Sequence, residues 1–453
     1  MLQQVEYDVG KFTSWVWKLP NLFSLRRRGH LVATSRVKAS LVLAYFVWLA
    51  TIFIPAGYAF VTHNYAWLLL ILVAPISVIV CLSAGSFALQ TLIVGPAQRK
   101  QVLAAKSKLQ GMQSTRIGVL GSYGKTTMKE LLLTVLSEGL EVAATPGNQN
   151  VIISHARWVL SKLKGSERVL IFEYGESQPG DIKRLGGFSS PEYAVVTGLA
   201  PAHLDSYPDL QSIVDDFSSI KDYVSDERLY VNGDVRLLES TFNDANLYKS
   251  SGTSLLRAKN VSVSFEGTDF TVMRDSKEIS FHTGLMGRHQ IGPIIAVISI
   301  ALDLGMSLDQ IKAGVSKTNS FEHRMQSRKL SGAWIIDDTY NGNLEGLRAG
   351  LSLLSELPAK RKIYVTPGLV DQGEETTRVH NELGNLIAKA SPDKVVLMKN
   401  SVTSLIESGL KEGSYLGELI IETNPLEFYT NLEHYLASGD VIMMQNDWPD
   451  SYQ

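Results

Sequence analysis

From residue 39 to residue 98 the sequence contains no Asp, Glu, Lys or Arg. This stretch divides into two apolar runs on either side of the tetrapeptide THNY, residues 62–65. A bilayer crossing takes about 20 residues, and each run is long enough for one. We therefore predict a transmembrane helical hairpin over residues 39–98.

A buried helical pair in a soluble domain is the alternative to this hairpin. A cleaved signal peptide fits less well, because the first run starts late and a second run follows it.

Basic residues flank this hairpin on both of its outer sides. They are Arg26, Arg27, Arg28, Arg36 and Lys38 before it, and Arg99, Lys100, Lys106 and Lys108 after it. Positive charge close to a transmembrane segment stays on the cytoplasmic side. We therefore predict a two-pass protein of the inner (cytoplasmic) membrane, with both termini and the catalytic region in the cytoplasm.

The rest of the chain is acidic. Residues 1–110 contain 11 Lys and Arg against 2 Asp and Glu, whereas residues 111–453 contain 32 against 43. Binding to a nucleic-acid backbone depends on clustered positive charge, so we expect no nucleic-acid partner. The single cysteine, Cys81, excludes an internal disulfide framework and a cysteine-based metal cluster. The pattern fits a soluble enzyme that is tethered to anionic lipid.

A candidate phosphate-binding loop lies in RIGVLGSYGKTTMKELLLTVL, residues 116–136. The apolar residues 117–120 predict a short buried strand, and residues 128–136 predict an amphipathic helix. A tight loop between a strand and the N-terminus of a helix is the usual layout of a phosphate cradle.

Each residue type in this loop has a physical role. Gly121 and Gly124 let backbone N–H groups turn inward, Lys125 can reach a terminal phosphate, and the Thr126 hydroxyl can bind Mg²⁺. Val119 stands where a full Walker motif has its first glycine, so a chance Gly-Lys-Thr turn is the alternative. The predicted nucleotide-binding residues of the loop are Gly121, Ser122, Tyr123, Gly124, Lys125, Thr126 and Thr127.

Downstream, apolar runs alternate with helical patterns. The runs at 168–175 and 192–199 precede a helical pattern at 212–224, and this βαβ order predicts a largely parallel sheet covered by helices. At 260–284 the apolar period falls to two, which predicts antiparallel hairpins. A second α/β pattern begins near residue 333. The expected fold class is therefore α/β with two lobes.

Polar residues follow the predicted strands of the first lobe, where open parallel sheets bind ligands. Asn148 and Asn150 lie in TPGNQN, Glu173 ends LIFE, and His203 follows TGLAPA. A carboxylate and an imidazole near a phosphate loop are suitable Mg²⁺ ligands or water-orienting groups. Taken singly, these could equally be a turn asparagine, a strand-end carboxylate and a structural histidine.

Seven motifs follow one another along the chain: GSYGKTT, TPGNQN, FEYGESQPGDI, VVTGLAPAHLDSY, GRHQIGPIIA, HRM and IIDDTYNGNLEG. In this order they resemble the Mur ligase family, and most closely its branch that adds D-alanyl-D-alanine to a muropeptide. The resemblance begins at Gly111 and implies a P-loop-containing central domain plus a Rossmann-like C-terminal domain. The expected limits are 1–38 for a basic juxtamembrane segment, 39–98 for the hairpin, 99–110 for a basic linker, 111–325 for the ATP-binding central domain and 326–453 for the C-terminal domain.

The resemblance also implies a reaction, ATP-dependent amide-bond formation through an acyl phosphate. Lys125 and a Mg²⁺ bound by Thr126 would neutralise the phosphates. Glu173 and His203 match family positions around a second Mg²⁺. The remaining matches are Asn148 as a polar group lining the site, Arg324 as the arginine that reaches ATP, Asp338 as the aspartate on its ribose, and Asn341 at the hinge.

Three departures from the family accompany these matches. Phe217 stands where members usually have a carbamylated, metal-bridging lysine, and Lys221 lies one helical turn further on. The adenine-side pattern HNxxN reads HQIGP at 289–293. The N-terminal domain that grips the UDP-sugar is missing, and the hairpin stands in its place.

The leading hypothesis is a membrane-tethered, Mg²⁺- and ATP-dependent ligase that joins an amino acid or dipeptide amine to a cell-wall peptide acceptor. The tether favours a lipid-linked muropeptide as that acceptor. A ligase for another amino-acid or peptide polymer is the second enzymatic hypothesis. The non-catalytic alternative is a degenerate, nucleotide-binding membrane scaffold, which the departures at Phe217 and Pro293 favour.

Overall fold

A computed structural model describes residues 34–446, apart from residues 148, 202–205, 255, 275, 322, 341, 370 and 371, and without the side chains of residues 35–36 and 71–79. The chain divides after Ala105 into two compact units. Each unit is described by itself.

The first unit is helical. Its elements are α1 (Ser35–Thr62), a 3₁₀ segment (Tyr65–Val73), α2 (Ala74–Leu89), a π-helical segment (Gln90–Val94) and α3 (Gly95–Gln110), which runs past the boundary. His63 ends α1 in the left-handed conformation, with φ of 50°. The segments Val37–Thr62 and Val80–Gln110 are long and apolar enough to cross a membrane, a test that buried core helices and signal sequences also pass.

Small side chains line the inner face of this helical pair. Ser40, Ala44 and Ser86 are buried, and a Cβ on Gly85 would lie 3.3 Å from the backbone nitrogen of Ala44. Large apolar side chains point away from the pair, and those more than half exposed include Phe46, Phe53, Ile54, Phe60 and Leu92. Small residues therefore line the contact between the two helices, and large apolar side chains cover the outer surface of the pair.

The second unit opens with a parallel sheet, as predicted. Its strands are β1 (Thr115–Leu120), β2 (Val142–Ala144), β3 (Val169–Glu173), β4 (Tyr193–Val196), β5 (Leu229–Asn232) and β6 (Asn246–Tyr248), in the order β2-β3-β1-β4-β5-β6. The helices are α4 (Lys125–Leu136), α5 (Ile152–Lys162), α6 (Asp181–Ser189), α7 (Leu210–Ser218) and α8 (Arg236–Thr241). Both β3 and β4 pair with β1, so the loops that follow these three strands meet at one edge.

The predicted antiparallel hairpins are also present. They form a three-stranded sheet of β7 (Arg257–Ser264), β8 (Gly267–Arg274) and β9 (Lys277–Thr283). Helices α9 (Ile291–Asp303) and α10 (Leu308–Ser316) follow. Helix α9 is apolar on almost every face and packs in the main core with α4.

A second six-stranded sheet makes up the C-terminal lobe. It contains β10 (Gln326–Leu330), β11 (Ala333–Asp338), β12 (Arg361–Thr366), β13 (Lys394–Met398), β14 (Glu418–Glu422) and β15 (Asp440–Gln445), in the order β10-β11-β15-β12-β13-β14. The helices are α11 (Leu344–Glu356), α12 (Thr376–Ala390), α13 (Thr403–Glu412), α14 (Pro425–Thr430) and α15 (Leu432–Tyr435). All strand pairs are parallel except β10 with β11.

The contacts that join the lobes of this unit include a ring stack, an ion pair and a hydrogen bond from Ser327 Oγ to the carbonyl of Phe265. The rings of Phe265, in the turn between β7 and β8, and Trp334, on β11, stack with centroids 4.4 Å apart and planes 5° apart. Arg288 Nε lies 3.0 Å from a carboxylate oxygen of Glu356 on α11. The change of lobe falls between α10 and β10, inside the interval 316–326, while the domain limits themselves stay predictions.

Candidate active site

The predicted phosphate loop joins β1 to α4, and its backbone needs glycine. Gly121 has φ of +140°, and a Cβ there would lie 2.3 Å from Thr197 Oγ1. Gly124 has φ of +80° and immediately precedes α4. Thr197, which directly follows β4, donates a hydrogen bond from Oγ1 to the carbonyl of Tyr123. The end of β4 therefore holds the backbone of the loop in position. The first N–H groups of α4 therefore face the loop as an anion cradle.

Among the described residues, Ser122 Oγ is buried without a hydrogen-bond partner. Its backbone N–H is engaged with the carbonyl of Gly198, 2.7 Å away. A buried hydroxyl that lacks a partner is costly to leave unsatisfied. A polar ligand in the loop would supply that partner.

Lys125 begins α4 and is bound by a carboxylate that the sequence analysis did not single out. Its Nζ lies 2.8 and 3.0 Å from the two carboxylate oxygens of Glu176 and also donates to the carbonyl of Gly121. The side chains of Lys125 and Glu176 are 13% and 3% exposed. Glu176 lies in the loop after β3, three residues beyond Glu173, and this repeat of a carboxylate was the available sequence signal.

Glu173 ends β3 and joins two side chains of α4. Thr126 Oγ1 donates to Glu173 Oε1 over 3.2 Å, and Lys129 Nζ lies 3.1 Å from Glu173 Oε2. The Lys129 side chain is fully buried, which is unusual for lysine unless it is paired. Lys129 was also missed from the sequence, although it follows Lys125 by four residues and so lies on the same helix face.

A buried histidine holds the end of β3 in place. His155 Nε2 donates to the carbonyl oxygen of Glu173 over 3.0 Å. Burial lowers the pKa of His155 to about 4, so the imidazole is neutral near pH 7. The hydrogen bond fixes the backbone at the end of β3, next to the Glu173 side chain.

The chain is similar to several known proteins. Residues 119–301 match the Mur ligase middle domain. The chain is 29% identical over 347 residues to the UDP-N-acetylmuramoyl-tripeptide--D-alanyl-D-alanine ligase of Bacillus subtilis (strain 168), covering 75% of each chain. It is 27% identical over 305 residues to the enzyme of that name from Escherichia coli (strain K12), covering 65% of this chain and 67% of that one.

The chain contains a Mur ligase middle domain.

A solved MurF ligase of Thermotoga maritima in complex with ADP has the same fold, with a TM-score of 0.67 at 23% identity over 77% of this chain and 80% of that one. Mur ligases are ATP-dependent enzymes that form amide bonds, and this chain is an enzyme of that class. The predicted fold of a P-loop central domain followed by a second parallel α/β lobe is thereby confirmed.

The described residues of this site fit a magnesium ion. The Thr126 hydroxyl and the Glu173 carboxylate are hard oxygen donors brought together at the start of α4, and Mg²⁺ is usually bound by one or two carboxylates plus waters and substrate phosphates. Within the described ranges no three His, Cys, Asp or Glu side chains group as metal ligands. Nucleotide and water would therefore complete the coordination. The predicted residues His203 and Asn148 lie outside the described residues.

The structure accounts for the departure at Phe217. Its side chain is fully buried on α7. Lys221 lies beyond the end of α7, with Nζ 3.6 Å from Asp226 and 5.2 Å from the ring centroid of Phe242. Its side chain is 34% exposed. Neither residue offers a carboxylate to a metal.

Replacing Lys221 by Ala is therefore expected to lower kcat/KM at most about tenfold, the mild end of the range for an outer contact of a metal site. A carbamate one helical turn further on, about 5.4 Å away, would miss a metal bridge. The measurement is steady-state kinetics with and without bicarbonate, and Lys183→Ala is the control because Lys183 forms a similar surface ion pair with Asp222. A rate collapse in Lys221→Ala, together with bicarbonate rescue of wild type stripped of carbon dioxide, would contradict this expectation.

The C-terminal lobe presents the other predicted nucleotide residues. The Arg324 guanidinium lies 4.6 Å from the ring centroid of Tyr340. Asp338 ends β11 and accepts hydrogen bonds from Gln445 Nε2 over 2.6 Å and from the backbone N–H of Met325 over 3.2 Å. Burial raises the pKa of Asp338 to about 7. Their roles toward ATP stay predictions, and Asn341 lies outside the described residues.

The altered adenine-side motif begins with a histidine that is already paired. Gln290 Nε2 donates to His289 Nε2 over 2.8 Å, and burial lowers the pKa of His289 to about 4. Pro293 lies in the first turn of α9, where a missing N–H is tolerated. The motif thus keeps its helix start while its two asparagines are replaced.

Proposed function

We propose that this Mur ligase is a membrane-tethered, Mg²⁺-dependent enzyme that joins the amine of an amino acid or dipeptide to the carboxylate of a cell-wall muropeptide. The observation that carries the proposal is the pairing of Thr126 with Glu173 beside Lys125. It supports one site in which a nucleotide phosphate and a cation meet.

The proposed reaction has two steps. The acceptor carboxylate attacks the γ-phosphorus of ATP, so that a carboxyl oxygen to phosphorus bond forms and the bond to ADP breaks. The incoming amine then attacks the acyl carbon and loses a proton, and inorganic phosphate leaves with the bonding electron pair. In the first step a carboxylate has to approach a phosphate, and in the second step negative charge develops on the acyl and phosphate oxygens. The site therefore needs concentrated positive charge to stabilise these oxygens.

The residues of the phosphate loop and of β3 would each contribute to these two steps. Lys125 would neutralise the terminal phosphate, and the N–H groups at the start of α4 would bind its oxygens. Bound Mg²⁺ would supply further positive charge at the transferred phosphoryl group. Thr126 and Glu173 would hold the cation, and Lys129 would hold the Glu173 carboxylate in place.

The relatives suggest the substrates. Their name identifies a UDP-N-acetylmuramoyl-tripeptide and D-alanyl-D-alanine as what they join, and we assign the same chemical classes to this chain. The hairpin favours a lipid-linked form of the acceptor, because tethering raises the effective concentration of a membrane-bound substrate.

The packing of the hairpin supports the tether. Helix interfaces in membranes are rich in small residues that allow close backbone approach, and Ala44 and Gly85 meet in that way. In water the outward Phe and Ile side chains would remain hydrated, at a loss of roughly 25 cal/mol for each Å² left exposed. In lipid the same surface is compatible with its surroundings.

The test is phosphate release from ATP by the full-length protein in lipid nanodiscs. We expect release only when a muropeptide carboxylate and an amine are both present, and mass spectrometry should find the dipeptide added to the acceptor. Parallel reactions with the UDP-linked and the lipid-linked tripeptide compare the two acceptors. Turnover only with other peptide polymers would favour the second enzymatic hypothesis, and nucleotide binding with no turnover on any acceptor would favour the scaffold.

A further inference from the structure

The side-chain amide of Gln445, at the end of β15, is held by hydrogen bonds at both of its ends. Its Nε2 donates to Asp338 Oδ2 over 2.6 Å and to the carbonyl of Gly346 over 3.1 Å. Its Oε1 accepts from the hydroxyl of Tyr364, on β12, over 3.0 Å. Turning the amide over would set its oxygen against a carboxylate and a carbonyl, so the amide has one favourable orientation.

Packing holds the amide in this orientation. Gln445 is 1% exposed and Tyr364 is fully buried. On α11, a Cβ at Gly350 would lie 2.3 Å from Gln445 Nε2, so this helix passes directly against the amide. Asp338 is partly exposed. A ligand can therefore reach Asp338, while Gln445 and Tyr364 lie behind it.

The other oxygen of Asp338 holds the turn that carries Arg324. The backbone N–H of Met325 donates to Asp338 Oδ1 over 3.2 Å. Met325 has φ of 49°, in the left-handed region that non-glycine residues rarely adopt. The carboxylate therefore stabilises an uncommon backbone conformation directly after Arg324, and it links this turn to the end of β15.

We propose that Gln445, oriented by Tyr364, is a positioning residue that aligns the Asp338 carboxylate for the ribose hydroxyls of the nucleotide. One carboxylate oxygen is fixed by β15 and the other by the turn at Met325, so the carboxylate is in place before a nucleotide arrives. Fixing a binding group in advance lowers the entropy cost of binding. The inference rests on the proposed function, because it takes Asp338 to contact the ribose.

Protonation of Asp338 provides a readout of this alignment. Burial raises the pKa of Asp338 to about 7, and Asp337 raises it further, while the hydrogen bond from Gln445 and the charge of Arg324 lower it. Burial also raises the pKa of Tyr364, which stays neutral. An ionised carboxylate accepts hydrogen bonds more strongly than a protonated one. Loss of the Gln445 donor should therefore raise the pKa of Asp338 and weaken ribose binding near neutral pH.

The test is the affinity of the full-length protein in nanodiscs for ADP and for 2′,3′-dideoxy-ADP with Mg²⁺, measured calorimetrically between about pH 6 and pH 9. The ratio of the two dissociation constants isolates the ribose hydroxyls, because both nucleotides have the same base and diphosphate. We expect wild type to prefer ADP by about tenfold to a hundredfold at alkaline pH, the usual value of hydrogen bonds to a charged group. In Gln445→Met most of this preference should be lost near pH 7 and regained at higher pH.

A second variant covers the case in which Gln445→Met does not fold, which thermal unfolding would reveal. Tyr364→Phe keeps the ring but removes the hydroxyl that orients the amide, so its preference for ADP should lie between those of wild type and Gln445→Met. Tyr415→Phe is the matched control, because the Tyr415 hydroxyl donates to the carbonyl of Pro392 over 2.9 Å in the same lobe. The control should keep the wild-type ratio at every pH.

The remaining outcomes separate the inference from the proposed function. A wild-type ratio and pH profile in every folded variant, or equal weakening of both nucleotides, would overturn the inference and leave the proposed function standing. Equal affinity of wild type for the two nucleotides would do the same. A wild type that binds neither nucleotide would overturn both.

Discussion

Replacing Lys125 by Ala is expected to lower ATP turnover at least about a hundredfold, the effect of removing one group that stabilises transition-state charge. The ammonium is the only side-chain cation in the described part of the phosphate loop itself, residues 121–125. Phosphate release under saturating acceptor and amine measures the loss. Phosphate release near the wild-type rate would contradict the interpretation of this loop as the nucleotide site.

The variant needs a control for stability, because Lys125 neutralises a buried carboxylate. Removing one partner of a buried pair costs about 3 to 5 kcal/mol, so Lys125→Ala alone would combine a catalytic defect with a folding defect. The double variant Lys125→Ala, Glu176→Gln removes both charges of this ion pair. It should regain thermal stability and stay inactive, which separates the two effects.

The full-length protein is expected to sediment entirely with membranes and to resist extraction by high salt or alkaline buffer. Introducing two charges on the outward face, Phe46→Asp with Phe53→Asp, should move most of it out of the membrane. Each charge near the middle of a spanning helix costs about 2.5 to 3.5 kcal/mol on insertion scales. Leu416→Asp is the control, since Leu416 is 96% exposed and lies in the catalytic unit.

Topology is the second part of this prediction. A reporter active only in the cytoplasm and fused after the last residue should be active, because basic residues flank the hairpin on both outer sides. A C-terminal lobe accessible to protease from outside would contradict both the orientation and access to cellular ATP.

Local patterns in the sequence predicted the parallel strands, the antiparallel insertion and the loop before α4, because hydrophobic period and glycine position act over short distances. Two details differ from the patterns. The helical pattern at 212–224 becomes α7 followed by a 3₁₀ turn at Ser219–Asp222, and the second apolar run begins as 3₁₀ rather than α-helix.

Local sequence patterns could not predict which charged side chains of the site pair with one another. Lys129 and Glu176 are polar residues whose burial depends on strands far apart in sequence, and 51 residues separate Lys125 from Glu176. Phe217 is the opposite case, because the sequence did single it out, as a departure from the usual metal-bridging lysine. Its complete burial on α7 then shows that this side chain packs in the core.

The stacked rings of Phe265 and Trp334 have a mechanical consequence. Pulling the rings apart would expose both of their faces to water. Met286 adds to this contact, because it precedes α9 in the first lobe but is buried in the core of the C-terminal lobe. Any opening between the two lobes would therefore have to bring the two rings and Met286 into contact with water.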